Sequence, residues 1–226
     1  MQETRKKYTV LLLSAPIGSG HRLAAEALEQ AFCDRPEVEV IHGNIFDFFP
    51  QFLGKAFLGT YLWILKCCPW LYKLAYTWGN KQGGSLWLRE LLNRLLARLG
   101  GSYLRNVQPD AVIATHATPA GIIGYYKKQH PKLWLGAVVT DFTIHRWWVC
   151  DGVDTYFIAD ELLRDKLTTT ADIQATGIPV RQQFMIKHDK QKCREFFGWD
   201  ENERVCLLMS LPVELQIMEV LFREMM

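Results

Sequence analysis

A chain of 226 residues, 49% hydrophobic and 22% charged, is long enough for one large α/β domain, or for one domain and the start of a second. Its formal net charge of +2 leaves no overall nucleic-acid footprint. The six cysteines form no CxxC pair and no zinc spacing, so they read as reduced thiols of a cytosolic protein. No signal peptide is visible, and no stretch of about 18 uncharged apolar residues suggests a membrane span.

Tyr8 to Leu13 is a continuous apolar run, the pattern of a strand buried on both faces. A glycine turn follows, Ser14-Ala15-Pro16-Ile17-Gly18-Ser19-Gly20-His21. Leu23, Ala24, Ala27, Leu28 and Ala31 then recur at helical spacing until Arg35-Pro36. Val38 to Gly43 reads as a second strand. This β-α-β opening is the start of a doubly wound parallel sheet.

The pattern breaks over residues 46–87, which hold twelve aromatics. Asp47 is the only acid there, against Lys55, Lys66, Lys73 and Lys81. Pro50, Pro69 and Gly79 divide the segment into short helical pieces. Aromatics with lysines and almost no acids suit a membrane-contacting flap or a groove for a greasy substrate, with Trp63, Trp70 and Trp78 as its anchors. The alternative is that these rings pack against the sheet.

Residues 85–106 form an amphipathic helix. Leu86, Leu88, Leu91, Leu92, Leu95, Leu96 and Leu99 are expected inside, Arg89, Asn93, Arg94 and Arg98 between them, and a stop or kink at Gly100-Gly101. Strands follow at 111–114, 133–140, 153–158 and 173–180, with helices at 120–129 and 160–167. A polar helical stretch at 187–200, a strand-like run at 204–209 and a helix at 211–226 close the chain. A boundary falls near 182–200, giving an expected first domain at 1–185 and a linker with the start of a second at 186–226.

Three strand ends carry polar groups: Ser14 to His21, Thr115 to Pro119, and Thr140 to Trp148. In a parallel sheet all three lie on one edge, where ligands bind. Gly18 and Gly20 let backbone N–H groups approach a ligand closely. His21 is the best candidate general base, the alternative being a structural helix cap. Asp141 is a candidate for orienting an imidazole or binding a hydroxyl. His116 and His145 read as polar loop residues. Trp147-Trp148 beside Arg146 makes an aromatic, cationic lip suited to an anionic lipid head or a sugar, the alternative being that it packs against the aromatic segment at 46–87. No P-loop, G-x-G-x-x-G, Gly-x-Ser-x-Gly, HxH or HExxH pattern is present, so no metal is expected.

On these residues the sequence resembles the diacylglycerol glycosyltransferases: the monogalactosyldiacylglycerol synthases of plastids and the processive diacylglycerol glucosyltransferases of Gram-positive bacteria. Residues 12–28, 138–149, 152–159 and 176–184 match in the same order. The resemblance implies the N-terminal, Rossmann-like acceptor domain of a two-domain GT-B glycosyltransferase. It implies diacylglycerol and anionic membrane lipids as partners, on the inner face of the cell membrane. It implies an inverting transfer of a hexose from a UDP-sugar, with no cofactor and with the donor site in a second domain. By position, His21 matches the base and Asp141 lies in the neighbouring acceptor loop. Trp148 matches a tryptophan linked to anionic phospholipid. Gly18, Gly20, Thr115, His116, Trp147, Trp63, Trp70 and Trp78 are assigned to the acceptor and lipid side. The chain departs from the family at Cys150-Asp151-Gly152-Val153, where relatives have His-Pro-Gly-Val, and at Leu211-Pro212, where they have a glycine-rich loop. The expectation is therefore a truncated enzyme or an acceptor domain standing alone. The rival readings are a non-catalytic lipid-binding module, a partner of a separate donor-domain chain, and a small nucleotide-binding transferase.

Overall fold

The structure, a computed structural model, describes residues 7–15, 19–49 and 86–207, and scattered positions between 54 and 77. Six strands form one all-parallel sheet: β1 (Tyr8–Ser14), β2 (Val38–Asn44), β3 (Ala111–Ala114), β4 (Trp134–Val138), β5 (Thr155–Ile158) and β6 (Asp172–Ala175). The α-helices whose bounds fall within the described residues are α1 (Ser19–Phe32), α2 (Leu86–Val107), α3 (Ala117–Lys127) and α4 (Lys190–Phe197).

The apolar run of β1 is buried on both sides of the sheet, as its composition requires. Leu11 and Leu13 face one core with Val112, Ala114, Leu135, Ala137 and Tyr156, closed by α2 and α3. Val10 and Leu12 face the other, with Ile113, Val138 and Ala25 of α1. Period-2 alternation with apolar residues at every position means that each face needs its own helical cover. Leu11, Leu12 and Leu13 are fully buried, each contributing about 1.5–3 kcal/mol of apolar transfer.

The strand order is β2-β1-β3-β4-β5-β6. The chain leaves β1 toward β2, then crosses back to place β3 on the other side of β1. That reversal opens a crevice at the carboxyl ends of β1 and β3, the topological switch point of the sheet.

Helix α2 corrects the sequence expectation. It runs through Gly100-Gly101 without interruption, and its buried face is Asn93, Ala97, Gly100, Gly101 and Leu104. Leu91, Leu92, Leu95 and Leu99 point to solvent, and Leu88 and Leu96 are partly buried. The glycines decide this: a Cβ at Gly100 would lie 2.5 Å from the Phe48 ring, and one at Gly121 of α3 would lie 2.6 Å from Asn93 Nδ2. Close approach of Phe48 and α3 selects the small-residue face and turns the leucines outward.

Other boundaries shift locally. α1 begins at Ser19 and α3 at Ala117, both earlier than their apolar spacing implies. The helix expected at 160–167 is a 3-10 helix, Glu161–Lys166, capped by Asp160. The strand expected at 173–180 is the short edge strand β6. Residues 204–207 are exposed and join no described strand, because apolar residues make a strand only where a neighbour supplies hydrogen bonds. Residues 208–226 and Trp78 lie outside the described residues. Of the aromatic segment, Phe48 is buried and Phe46 and Phe49 pack against the core, whereas Trp63, Trp70 and Trp87 are exposed. Among the described residues no helix is long and apolar enough to cross a membrane.

Candidate active site

The start of α1 and the loops after β3 and β4 meet at the switch point. His21 sits in the first turn of α1, half-buried. Its Nδ1 lies 2.7 Å from the Thr115 carbonyl oxygen and 2.8 Å from Thr140 Oγ1. A carbonyl oxygen only accepts, so Nδ1 carries the proton and shares it between the carbonyl and the hydroxyl. The other ring nitrogen, Nε2, then holds the lone pair. Thr115, just past β3, and Thr140, two residues past β4, thus fix the tautomer of a histidine on α1. Thr140 opens the third polar strand end but is not among the candidate site residues; its position two residues beyond β4 is the available signal.

His116 stands edge-on to His21, with ring centroids 4.6 Å apart. It caps α3, its Nδ1 accepting from Thr118 N at 3.1 Å. Burial, and then the neighbouring His21, push its pKa down to about 3. His116 is therefore neutral, with its proton on Nε2. His145 caps the 3-10 turn Arg146–Trp148 in the same way, its Nδ1 accepting from Trp147 N. Its pKa is lowered by burial, partly offset by Asp141.

The neutral His116 has a consequence for stability. Its folded pKa lies below that of an exposed histidine, so its contribution is complete above about pH 6.5 and is lost as pH falls toward the folded value. His116→Asn keeps a capping acceptor without the titration. Urea unfolding between about pH 5 and 6.5 should show a shallower loss of stability for the variant than for the parent. Equal slopes would contradict a buried neutral His116.

The stretch 146–150 differs from its sequence reading as a lipid-facing lip. Trp148 is 2% exposed, and Trp147 and Arg146 are half-buried. Two residues not anticipated as site residues hold it inward. Arg89 of α2 donates from Nη1 to the carbonyls of Val149 (2.8 Å) and Arg146 (3.3 Å). Tyr156 of β5, fully buried, donates to the Trp148 carbonyl at 2.7 Å and accepts from Cys150 N at 3.0 Å. Burial raises the Tyr156 pKa and pushes the Cys150 thiol up to about 12, so both stay protonated and both serve as donors. The Cys150 thiol donates to the Trp147 carbonyl. Only the folded sheet brings Arg89 and Tyr156 to this turn, which is why spacing along the chain gave no sign of them.

Trp148 faces inward, its ring 6.4 Å from that of His116, and its Nε1 donates to Asp141 Oδ2 at 3.3 Å. Asp141 is exposed and takes the indole N–H, while the contacts orienting His21 come from Thr115 and Thr140. Two polar atoms on the same loops are buried without a partner among the described residues, Thr115 Oγ1 and Trp147 Nε1. A Cβ at Gly20 would meet nothing within 4 Å, so the packing of the chain itself does not demand glycine there. Gly18 lies outside the described residues. Among the described residues no group of three or more His, Cys, Asp or Glu side chains is placed to hold a metal ion.

A six-stranded parallel sheet with an imidazole presented at its switch point defines an α/β, Rossmann-like domain of the kind that forms the N-terminal half of GT-B glycosyltransferases. The chain belongs to the monogalactosyldiacylglycerol (MGDG) synthase family, whose profile matches residues 21–180. It is 28% identical over 217 residues to the processive diacylglycerol beta-glucosyltransferase of Bacillus pumilus (strain SAFR-032), covering 92% of this chain and 54% of the relative. The Bacillus licheniformis protein of the same name is 27% identical over 212 residues, 89% of this chain and 53% of the relative. That of Bacillus cereus (strain B4264) is 29% identical over 213 residues, 91% and 53%. The chain spans about half the length of the curated relatives it matches.

Proposed function

We propose that this chain is the acceptor-binding part of an inverting glycosyltransferase that moves a hexose from a UDP-sugar to the hydroxyl of diacylglycerol. The observation that carries the reading is the His21 tautomer: Nδ1–H is taken by Thr115 and Thr140, and Nε2 is left with a lone pair for an acceptor O–H. In the reaction, His21 Nε2 removes the acceptor proton and the acceptor oxygen attacks the anomeric carbon. The bond to UDP breaks with inversion, and UDP leaves carrying the bonding pair. Thr115 and Thr140 keep the imidazole aimed; Asp141, steadied by Trp148, lies in the acceptor loop.

Residues 1–185 would form the acceptor domain, and 186–226 a linker with the start of a donor domain. The sugar nucleotide would be held by a separate donor domain, as the resemblance implies, and that domain would stabilise the charge developing on UDP. Exposed Trp63, Trp70, Trp87, Leu91, Leu95 and Leu99 support a membrane-contacting face. Apolar and aromatic side chains of this kind suit a protein lying on the inner surface of the cell membrane, among anionic lipids.

The test is twofold. The purified chain should co-sediment with vesicles containing diacylglycerol and an anionic lipid, and Trp63→Ala with Trp70→Ala should weaken that binding. It should give little or no glucosyl transfer from UDP-glucose. Robust turnover by the chain alone would overturn the acceptor-only reading, and tight UDP binding without vesicle association would favour a small nucleotide-binding transferase.

A further inference from the structure

A cavity of about 550 Å³ lies at the edge of the sheet opposite His21, beside the amino ends of β3 and β4. The end of α2 and the loop between α3 and β4 line it, and it opens to solvent. The volume is within the range of small-molecule sites, roughly 300–1,000 Å³. Two cations reach it from different elements, Arg105 from α2 and Lys132 from the loop. Neither has a carboxylate partner among the described residues, and the acid in the wall, Asp110, accepts from Thr9 N at 2.9 Å. The remainder combines apolar surface, Leu104, Leu133 and two prolines, with a flat aromatic wall. That wall is Tyr126 with His130 stacked on it, centroids 3.9 Å apart and planes within 5°.

Gln108, also in the lining, supplies an independent observation. At φ 48 it is the one described non-glycine residue in the left-handed region. It ends α2, its N–H donating to the Leu104 carbonyl at 2.8 Å. Glycine takes this helix-ending position without a steric penalty, and a side chain there persists against that preference. The side chain kept at this conformational cost is an exposed amide in the wall of a cationic cavity. Strained positions of this kind collect at ligand sites.

We propose that this cavity binds a small phosphate ester. Arg105 and Lys132 hold the phosphate, Gln108 donates to it, and Tyr126–His130 with the prolines packs its organic body. A planar guanidinium fork with a second cation matches a phosphate's charge and oxygen geometry better than it matches a single carboxylate. The phosphate could belong to a free metabolite or to a lipid headgroup.

Calorimetric titration of the full chain with glycerol 3-phosphate distinguishes these sources when paired with sedimentation on phosphatidylcholine vesicles with and without phosphatidylglycerol. Saturable binding of the soluble ester, weakened at least about tenfold by Arg105→Ala with Lys132→Ala, is the expected result. Lys190→Ala with Lys192→Ala, which removes equal charge from α4, should leave it unchanged. Gln108→Gly should weaken binding while leaving the unfolding midpoint equal or higher, a pairing that a purely structural glutamine would not give. Binding confined to phosphatidylglycerol vesicles, and lost in the Arg105/Lys132 pair alone, assigns the site to a headgroup. The proposal is overturned if neither probe binds, if the charge-matched control loses as much as the cavity pair, or if the cavity variants bind like the parent.

Discussion

His21→Ala, in this chain joined after residue 207 to the second half of the Bacillus pumilus relative, is expected to lower glucosyl transfer to diacylglycerol by about 10²–10⁴-fold. Vesicle binding should be kept. The size follows from the role: a positioned base that takes the acceptor proton in the transition state is worth that range, and nothing else among the described site residues is placed to replace it. His116 is held neutral but its Nδ1 is spent on capping α3. Asp141 is engaged by Trp148. Thr140→Val tests the same geometry more gently. It removes one of two acceptors for the Nδ1–H while the Thr115 carbonyl remains, so a smaller loss is expected, concentrated in kcat rather than KM. Unchanged turnover in His21→Ala would remove His21 as the base.

The largest expected effect on stability comes from a backbone contact between α3 and the turn before β5. Gly124→Ala in α3 should destabilise the fold by about 3 kcal/mol, lowering the melting temperature by about 6–12 °C. A Cβ at Gly124 would lie 2.1 Å from the Asp151 carbonyl oxygen. The partner across that contact is Gly152, at φ 82, where a Cβ would in turn lie 2.9 Å from the Gly124 carbonyl oxygen. Backbone meets backbone on both sides, so no side-chain rotation relieves the clash. Nor can the turn retreat easily, because Arg89 and Tyr156 anchor its carbonyls. The contact also fixes the stretch that carries Trp148 and, through it, Asp141. Guanidinium unfolding measures the change; a shift below about 0.5 kcal/mol would show that the α3–loop contact yields.

The parts of the molecule legible in sequence are those where local pattern and tertiary environment agree. Leu11 to Leu13 read as a strand buried on both faces because every position is apolar, and the sheet buries every one. The three polar strand ends could be placed on one edge because parallel strands leave no other arrangement, and His21, Thr115 and Thr140 do meet there. Helix α2 misled because leucine periodicity outweighs glycine in a hydrophobicity reading. In the folded chain the space between α2, Phe48 and α3 admits only small groups. The aromatic, cationic run Arg146-Trp147-Trp148 fits either a ligand-contacting lip or packing against other aromatics, and nothing local decides between them for Trp148. Its burial follows from Arg89, about sixty residues earlier, and Tyr156, eight residues later. Thr140 opens the third polar strand end, but a threonine after a strand carries no signal of its role until His21 of α1 is seen beside it.

The measurement that bears most directly on the central claim is ¹⁵N NMR of the histidine rings of the chain, with and without micelle-borne dioctanoylglycerol. The geometry predicts that His21 is protonated on Nδ1 in the free chain. It further predicts that the acceptor shifts the His21 Nε2 resonance while Nδ1 stays protonated. An Nε2-protonated His21, or ring resonances that do not move while diacylglycerol binds, would contradict the presentation of His21 as the acceptor's base.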